Sequence, residues 1–116
     1  MNIQRGDVLK ARFPHAAGGK GKKRPVVVVQ ANAYNGRLRH AVVAQLTSNM
    51  TEKDDPACVL IDRSEIHAAG LTLESLVMGY MLATMSEHLL QEKIGHLSDA
   101  LMQKIDDALR AALGIP

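Results

Sequence analysis

Four consecutive valines, residues 26–29, follow directly after Pro25. β-Branched side chains favour strands, and in a strand they point alternately to its two faces. A strand that is apolar on both faces is normally covered on both sides, so residues 26–31 are predicted to form a central strand of a sheet. Pro25 is predicted to begin this strand, because proline has no amide hydrogen for a ladder bond.

Four further segments have the pattern of short strands separated by turns or polar loops. They are residues 8–13, 41–46, 58–61 and 76–82. Asn35-Gly36 carries a turn signal between the strands at 26–31 and 41–46. Residues 86–92 are predicted to form one or two helical turns.

The C-terminal segment has a complete set of helix signals. Ser98 is a favourable N-cap, Asp99 places an acid in the first turn, and Gly114 suits the left-handed stop. Apolar residues recur between them at helical spacing and form one stripe: Leu101, Met102, Ile105, Ala108, Leu109, Ala112 and Leu113. Several strands followed by one amphipathic helix predict a mainly β fold, a small curled antiparallel sheet or barrel that packs against a C-terminal helix. The length of 116 residues indicates a single domain over residues 1–116.

Positive charge is concentrated in the first forty residues, which contain nine Lys or Arg and one acid. The remaining 76 residues contain five basic and eleven acidic residues. Lys20, Lys22, Lys23 and Arg24 lie in one glycine-containing loop just before Pro25. Such a loop can hold positive charge against an anionic ligand, which indicates a polyanionic partner. An ordinary basic surface loop has the same composition, and charge alone does not separate the two readings.

Composition disfavours several function classes. No apolar run approaches the roughly 20 residues that span a bilayer and no charged-then-apolar leader precedes the fold, so a cytoplasmic protein without membrane contact is expected. Cys58 is the single cysteine and is predicted to be a packed, inert thiol. With three aromatic residues and no Trp, a base-stacking platform is a poor candidate. The five histidines show no paired spacing with Cys or Asp, so neither a metal nor a cofactor is predicted.

A series of short motifs gives the chain a family resemblance. In chain order the motifs are Gly6-Asp7-Val8, Lys23-Arg24-Pro25-Val26-Val27-Val28, Tyr34-Asn35, Leu46-Thr47-Ser48-Asn49 and Lys93-Ile94-Gly95-His96-Leu97-Ser98-Asp99. With this order and spacing, the chain resembles the MazF/PemK toxins over nearly its whole length. The resemblance implies a dimeric SH3-like barrel with a C-terminal helix. It also implies sequence-selective, metal-independent cleavage of single-stranded RNA and inhibition by a cognate antitoxin.

The chemistry that the resemblance implies can be compared with the residues present. RNA is cut without metal when its own 2′-hydroxyl attacks the adjacent phosphorus, which requires stabilisation of charge on the non-bridging oxygens. Arg24 suits this role because a guanidinium offers a fork of donors to phosphate and stays charged. Thr47 can donate a hydrogen bond to the same phosphate, and both residues match catalytic positions of the family. A surface cation and a turn-capping hydroxyl are the structural alternatives for Arg24 and Thr47.

The remaining predicted RNA contacts follow from the basic loop and the polar strand end. They are Lys20, Lys22, Lys23, Ser48, Asn49 and Tyr80.

The general acid and base are harder to assign. Many relatives carry an arginine and an acid where this chain has Met78 and Tyr80, and a tyrosine with an unperturbed pKa near 10 is a poor base. His15 has the most suitable intrinsic pKa for the proton transfer, although a solvated loop histidine is the alternative. Other substitutes are His40, Glu52, Asp54 and Asp55.

Two other functions therefore stay open. One is a catalytically weak or silent relative that binds RNA or an antitoxin peptide without cleavage. The other is a structural SH3-like interaction module.

Overall fold

Residues 2–13 and 21–116 are described here from a computed structural model of the chain, so His15 and Lys20 lie outside the described residues. The six strands are β1 (Asp7–Arg12), β2 (Lys23–Val28), β3 (His40–Thr47), β4 (Cys58–Ile61), β5 (Ser75–Ser86) and β6 (Leu90–His96). The helices are α1 (Asn32–Asn35) and α2 (Asp99–Leu113), with a 3-10 turn at Glu87–Leu89. The prediction of a mainly β fold with a C-terminal helix is confirmed.

The strands form one antiparallel sheet in the order β4-β5-β3-β2-β1-β6. Within the described residues β4 and β6 stand at its two edges, so the barrel-like sheet stays open. The pairing of β3 with β5 shifts abruptly, because Ala44 pairs with Leu82 and the next residue, Gln45, pairs with Met78. Residues 79–81 are therefore a bulge in β5, and such bulges bend and twist a sheet.

Gly79 allows this bulge to lie against its neighbours. Its N–H donates to the carbonyl oxygen of Ala57 at 2.7 Å. A Cβ atom at Gly79 would stand 2.8 Å from that oxygen and 3.2 Å from the carbonyl oxygen of Ala108 in α2. Only a residue without a side chain fits this gap between β5, the loop before β4 and the helix.

Apolar cores cover both faces of the central strand β2. Val27 packs in a cluster with the buried stripe of α2, whereas Val26 and Val28 pack in a second cluster with Leu9 and Val43. Val26, Val27 and Val28 are fully buried, which confirms the sequence prediction of a central strand covered on both sides. The strand ends at Val28 rather than at residue 31 as predicted, and Val29 is only half-buried. Pro25 is the third residue of β2 rather than its first, and the ladder to β3 begins only after it.

Helix α2 begins and ends as its sequence signals predict. Ser98 Oγ accepts the N–H of Leu101 at 3.2 Å, which satisfies one of the free amides of the first turn. Gly114 ends the helix with a left-handed φ of 69°. The residues that α2 buries against the sheet are Leu101, Met102, Ile105 and Ala108.

One local prediction was wrong. Residues 86–92 are not helical beyond the turn at Glu87–Leu89, since Leu90–His96 forms the edge strand β6 against β1. The Asn35-Gly36 turn signal is confirmed, since the N–H of Arg37 donates to Tyr34 O at 3.0 Å in a turn between β2 and β3. The short helix α1, which precedes this turn, was not predicted, and the buried Asn35 side chain donates to Gln30 O at 3.0 Å. Local propensity missed strand β6, because its pairing with the distant strand β1 decided the conformation.

Candidate active site

Arg24 and Thr47 face the same cavity. Val26 of β2 pairs with Gln45 of β3, and continuing this register by two residues on each strand brings Arg24 opposite Thr47. Both side chains line a pocket of about 260 Å³. The structure therefore brings together the two residues that sequence analysis proposed for catalysis, each from a different strand.

Arg24 presents an unneutralised charge to this pocket. It is exposed in β2, where it pairs with Ala11 of β1, and it makes no ion pair with any residue in the ranges described. Pro25 restricts the preceding residue to extended backbone, which fixes the direction of the Arg24 side chain at its base. A guanidinium in this position can bind an anion through two parallel hydrogen bonds.

Thr47 makes the turn-capping hydrogen bond that the sequence offered as the alternative to a catalytic role. It also lines the pocket. Its Oγ1 accepts the backbone N–H of Asn49 at 3.1 Å. A hydroxyl that accepts in this way keeps its own O–H for donation. The side chain can therefore hold the turn after β3 and still donate a hydrogen bond to a ligand in the pocket.

The far wall of the pocket is the segment that leads into β5. Besides Arg24 and Thr47, the lining residues are Pro25, Leu46, Ser48, Leu71, Thr72, Leu73 and Ser75. Ser75 Oγ donates to the carbonyl oxygen of Leu73 at 3.0 Å, which holds this segment in a turn. Leu73 itself is 62% exposed, so the wall combines polar groups with an apolar edge.

A second cavity, of about 390 Å³, adjoins the pocket and brings in Arg63. The two cavities share Ser48, Thr72 and Leu73. Glu74 Oε2 accepts the backbone N–H of Arg63 at 2.9 Å, which fixes the start of the arginine side chain. Sequence analysis missed Arg63, although it is the single Lys or Arg between Lys53 and Lys93 and so stands out in an acidic stretch.

A third cavity, of about 240 Å³, shares Thr47 with the pocket. It is lined by Thr47, Asn49, Thr51, Glu52 and Met78. The three cavities together form one groove, which is centred on Arg24 and Thr47. We call it the Arg24–Thr47 groove.

The acid and base candidates differ in their distance from the groove. Glu52 lines the third cavity, whereas His40 lies at the opposite end of β3 from Thr47, about 23 Å away at the usual rise per residue. Asp55 is engaged in its own loop, since its Oδ1 accepts the N–H of Ala57 at 2.8 Å. Asp54 does not line any of the three cavities, and His15 lies outside the described residues.

Tyr80 lies on the β5 bulge and is not among the residues that line the groove. Cys58 Sγ and Tyr80 Oη are hydrogen-bonded at 3.5 Å. This hydrogen bond raises the pKa of Tyr80 to about 12, with desolvation and the charges of Cys58, Glu52 and Asp55 acting in the same direction. Tyr80 therefore keeps its proton at neutral pH and can act as a donor but not as a base.

Only some of the other predicted RNA contacts line the groove. Ser48 and Asn49 line it, whereas Lys22 and Lys23 are exposed just before Arg24 and do not. Lys20 lies outside the described residues. Residues 2–13 and 21–116 contain no group of three or more His, Cys, Asp or Glu side chains that could hold a metal ion. They also contain no helix that is long and apolar enough to cross a membrane.

Comparison with known proteins decides the family. A sequence model of PemK-like, MazF-like toxins of type II toxin–antitoxin systems matches residues 4–113. This chain belongs to that family.

Individual relatives agree with this assignment. The MazF-like chain is 32% identical over 116 residues to Endoribonuclease EndoA of Bacillus subtilis strain 168, a match that covers 99% of this chain and 97% of that protein. A mycobacterial endoribonuclease solved in complex with its cognate antitoxin is 25% identical, with a TM-score of 0.81 over 98% of this chain and 97% of that one. A second mycobacterial endoribonuclease structure is 26% identical, with a TM-score of 0.80 over 100% of this chain and 95% of that one.

Proposed function

We propose that this MazF-like protein is a sequence-selective, metal-independent endoribonuclease toxin that cleaves single-stranded RNA. The observation that carries the proposal is the meeting of Arg24 and Thr47 in one groove, in a chain of this family. The relatives named endoribonuclease support the reaction class, and they match over nearly the full chain.

Arg24 stabilises the charge that develops at phosphorus. The 2′-hydroxyl oxygen forms a bond to phosphorus and the bond from phosphorus to the 5′-oxygen breaks, leaving a 2′,3′-cyclic phosphate and a free 5′-hydroxyl. Negative charge accumulates on the non-bridging oxygens during this exchange, and the guanidinium fork donates to them. The Thr47 O–H donates to the same phosphate or orients the 2′-hydroxyl.

A base must accept the proton of the 2′-hydroxyl, and an acid must protonate the leaving 5′-oxygen. His15 is proposed for one of these steps because an imidazole titrates near neutral pH. Glu52 is the alternative base, since its carboxylate lines the cavity that adjoins Thr47. A rate that loses its dependence on pH in His15→Gln, but not in Glu52→Gln, would assign the step to His15.

The proposal includes three partners. Single-stranded RNA is the substrate, and an antitoxin peptide neutralises the toxin in the cytoplasm, by analogy with the relative solved in complex with its cognate antitoxin. A second copy of this chain completes a homodimer. Tyr80 and Met81 are 44% and 41% exposed on the β5 bulge and offer apolar area for that contact.

One gel tests the proposed reaction. Purified protein is incubated with long single-stranded RNA in EDTA, and the products are separated and their ends identified. Discrete fragments that end in 2′,3′-cyclic phosphate are expected. Retarded but intact RNA would favour the silent RNA-binding relative, which the Met78 and Tyr80 departure motivates. A chain that neither binds nor cuts RNA would favour an interaction module.

A further inference from the structure

The side chain of Asn49 has a fixed orientation beside the proposed cleavage site. Its Oδ1 accepts the backbone N–H of Thr51 at 2.9 Å and the Thr51 hydroxyl at 2.6 Å. A backbone N–H can only donate, so the amide oxygen must face Thr51 and the amide nitrogen must face away from it. Asn49 Nδ2 makes no hydrogen bond to any described residue, so both of its N–H groups remain for a ligand.

The cavity that Asn49 lines suits a nucleobase better than a phosphate. Met78 gives it a polarizable thioether wall, against which a flat ring packs favourably. Glu52 places a carboxylate in the same cavity, which would repel a phosphate group. An uncharged ring that offers an acceptor to Asn49 and a donor to Glu52 suits all three groups at once.

We propose that Asn49 selects the base of the nucleotide next to the cleaved bond, and that Thr51 is the residue that positions it. The inference rests on the proposed function. The cavity shares Thr47 with the pocket of Arg24, so a base held there belongs to a nucleotide directly adjacent to the reacting phosphate. The amide donors of Asn49 pair with an acceptor on the edge of that base.

The experiment measures base preference rather than rate alone. Sequencing the fragments of a long RNA cut by the wild-type protein gives the cleavage motif. Oligonucleotides with each of the four bases at each motif position then give kcat/KM ratios. Asn49→Ala is expected to reduce discrimination about tenfold at one adjacent position, because a specific base contact is worth roughly this much. Asn49→Asp is expected to change the preferred base there, since a carboxylate accepts where the amide donated.

Thr51 variants test the positioning role. Thr51→Val removes the hydroxyl donor but keeps the backbone N–H, so a smaller loss of discrimination at the same position is expected. Thr51→Ser keeps the hydroxyl and should restore the wild-type ratios. A hydroxyl with a merely structural role would alter stability or overall rate without moving the base ratios.

Two control variants test whether a change of charge alone, inside the cavity or far from it, alters the base preference. The double variant Asn49→Asp with Glu52→Gln keeps the net charge of the cavity and is still expected to change the preferred base. Gln103→Glu adds a negative charge on the exposed face of α2 and should leave all ratios unchanged.

Each failure points to a different error. A wild-type protein that cleaves no RNA contradicts the proposed function and this inference with it. A wild-type protein that cleaves, with Asn49 variants that keep the same order of bases, overturns this inference alone. A uniform loss across all sequences would make Asn49 a phosphate contact, and a change at a distant motif position would move it to another part of the groove. Either result overturns the assignment.

Discussion

Asp7 Oδ1 lies 2.7 Å from His96 Nδ1, a contact that joins the first residue of β1 to the last residue of β6. The Asp7 side chain is 2% exposed, and its Oδ1 also lies 3.2 Å from Lys93 Nζ. Its Oδ2 accepts the N–H of Gln4 at 2.8 Å. Burial acts to raise the pKa of Asp7, but the hydrogen bonds from Gln4, His96 and Lys93 together outweigh it and lower the pKa. Asp7 in the Gly6-Asp7-Val8 motif therefore anchors the sheet edge.

Asp7→Asn is expected to lower the free energy of unfolding by about 1–3 kcal/mol, because it replaces one acceptor oxygen of a buried carboxylate with an amide NH2 group, which cannot accept from the donors around it. Urea unfolding at pH 7 measures the change. Asp54→Asn is the matched control, since Asp54 is exposed and should give almost none. Equal stability of the two variants would contradict the anchoring role.

The Asp7 carboxyl should also make the free energy of unfolding depend on pH. A carboxyl whose pKa is lowered on folding contributes stability that is present above its unfolded pKa, about 3.9, and is lost as pH falls through the folded value. The difference in unfolding free energy between wild type and Asp7→Asn should therefore shrink below about pH 4. A difference that stays constant down to pH 2 would remove Asp7 ionisation as its cause.

Arg24 and Thr47 should differ sharply in their response to conservative substitution. Arg24→Lys keeps the charge but loses the two-pronged contact, so the cleavage rate should fall about 10²–10³-fold while RNA affinity changes much less. Thr47→Ala should be milder and Thr47→Ser nearly neutral, since the hydroxyl is the group required. Single-turnover rates and binding curves on one RNA separate the two effects. An Arg24→Lys protein that cleaves at the wild-type rate would refute the site assignment.

Affinity for RNA should depend steeply on salt. About four phosphate contacts from Lys20, Lys22, Lys23 and Arg24 give a log–log slope near −3 for single strands. Replacing Lys22 and Lys23 with Ala should flatten this slope by about one and weaken all sequences alike. The control is Lys104→Ala with Arg110→Ala, which removes the same charge from helix α2 and should leave the slope unchanged.

The features that sequence predicted correctly are those that local signals specify. The valines after Pro25 and the caps of α2 each require only a few neighbouring residues. Strand β6 was missed because its exposed residues Gln91, Glu92 and Lys93 show no apolar alternation, and its partner β1 lies about eighty residues earlier. Pairing of distant segments cannot be read from such a stretch.

The residues of the candidate site also differ in whether the local sequence marks them. Arg24 and Thr47 were found because motifs mark them, although only the structure, in which both line one pocket, shows that they meet. Arg63 carries no motif, and it reaches the groove only through the turn that Glu74 holds. The orientation of Asn49 depends on two hydrogen bonds that have no sequence signature.

A homodimer is expected at micromolar concentration. A second copy would cover the apolar residues of the β5 segment 78–85 and let two basic loops flank one cleft. Light scattering should give twice the mass of the chain, and Met81→Glu should shift it toward the monomer. A monomeric mass for the wild type would count against the shared cleft.

Tyr80→Phe decides whether the β5 bulge takes part in the reaction. The Tyr80 hydroxyl is hydrogen-bonded to Cys58 Sγ, its pKa is raised to about 12, and it does not line the Arg24–Thr47 groove. The single-turnover cleavage rate of Tyr80→Phe is therefore expected to stay within about twofold of wild type, with an unchanged dependence on pH, since a group that keeps its proton cannot act as a base. Tyr34→Phe, a tyrosine 46% exposed near Arg37, is the matched control. A loss of a hundredfold or more in Tyr80→Phe alone would place the bulge against the reacting phosphate. It would also mean that the groove described here is only part of the active site.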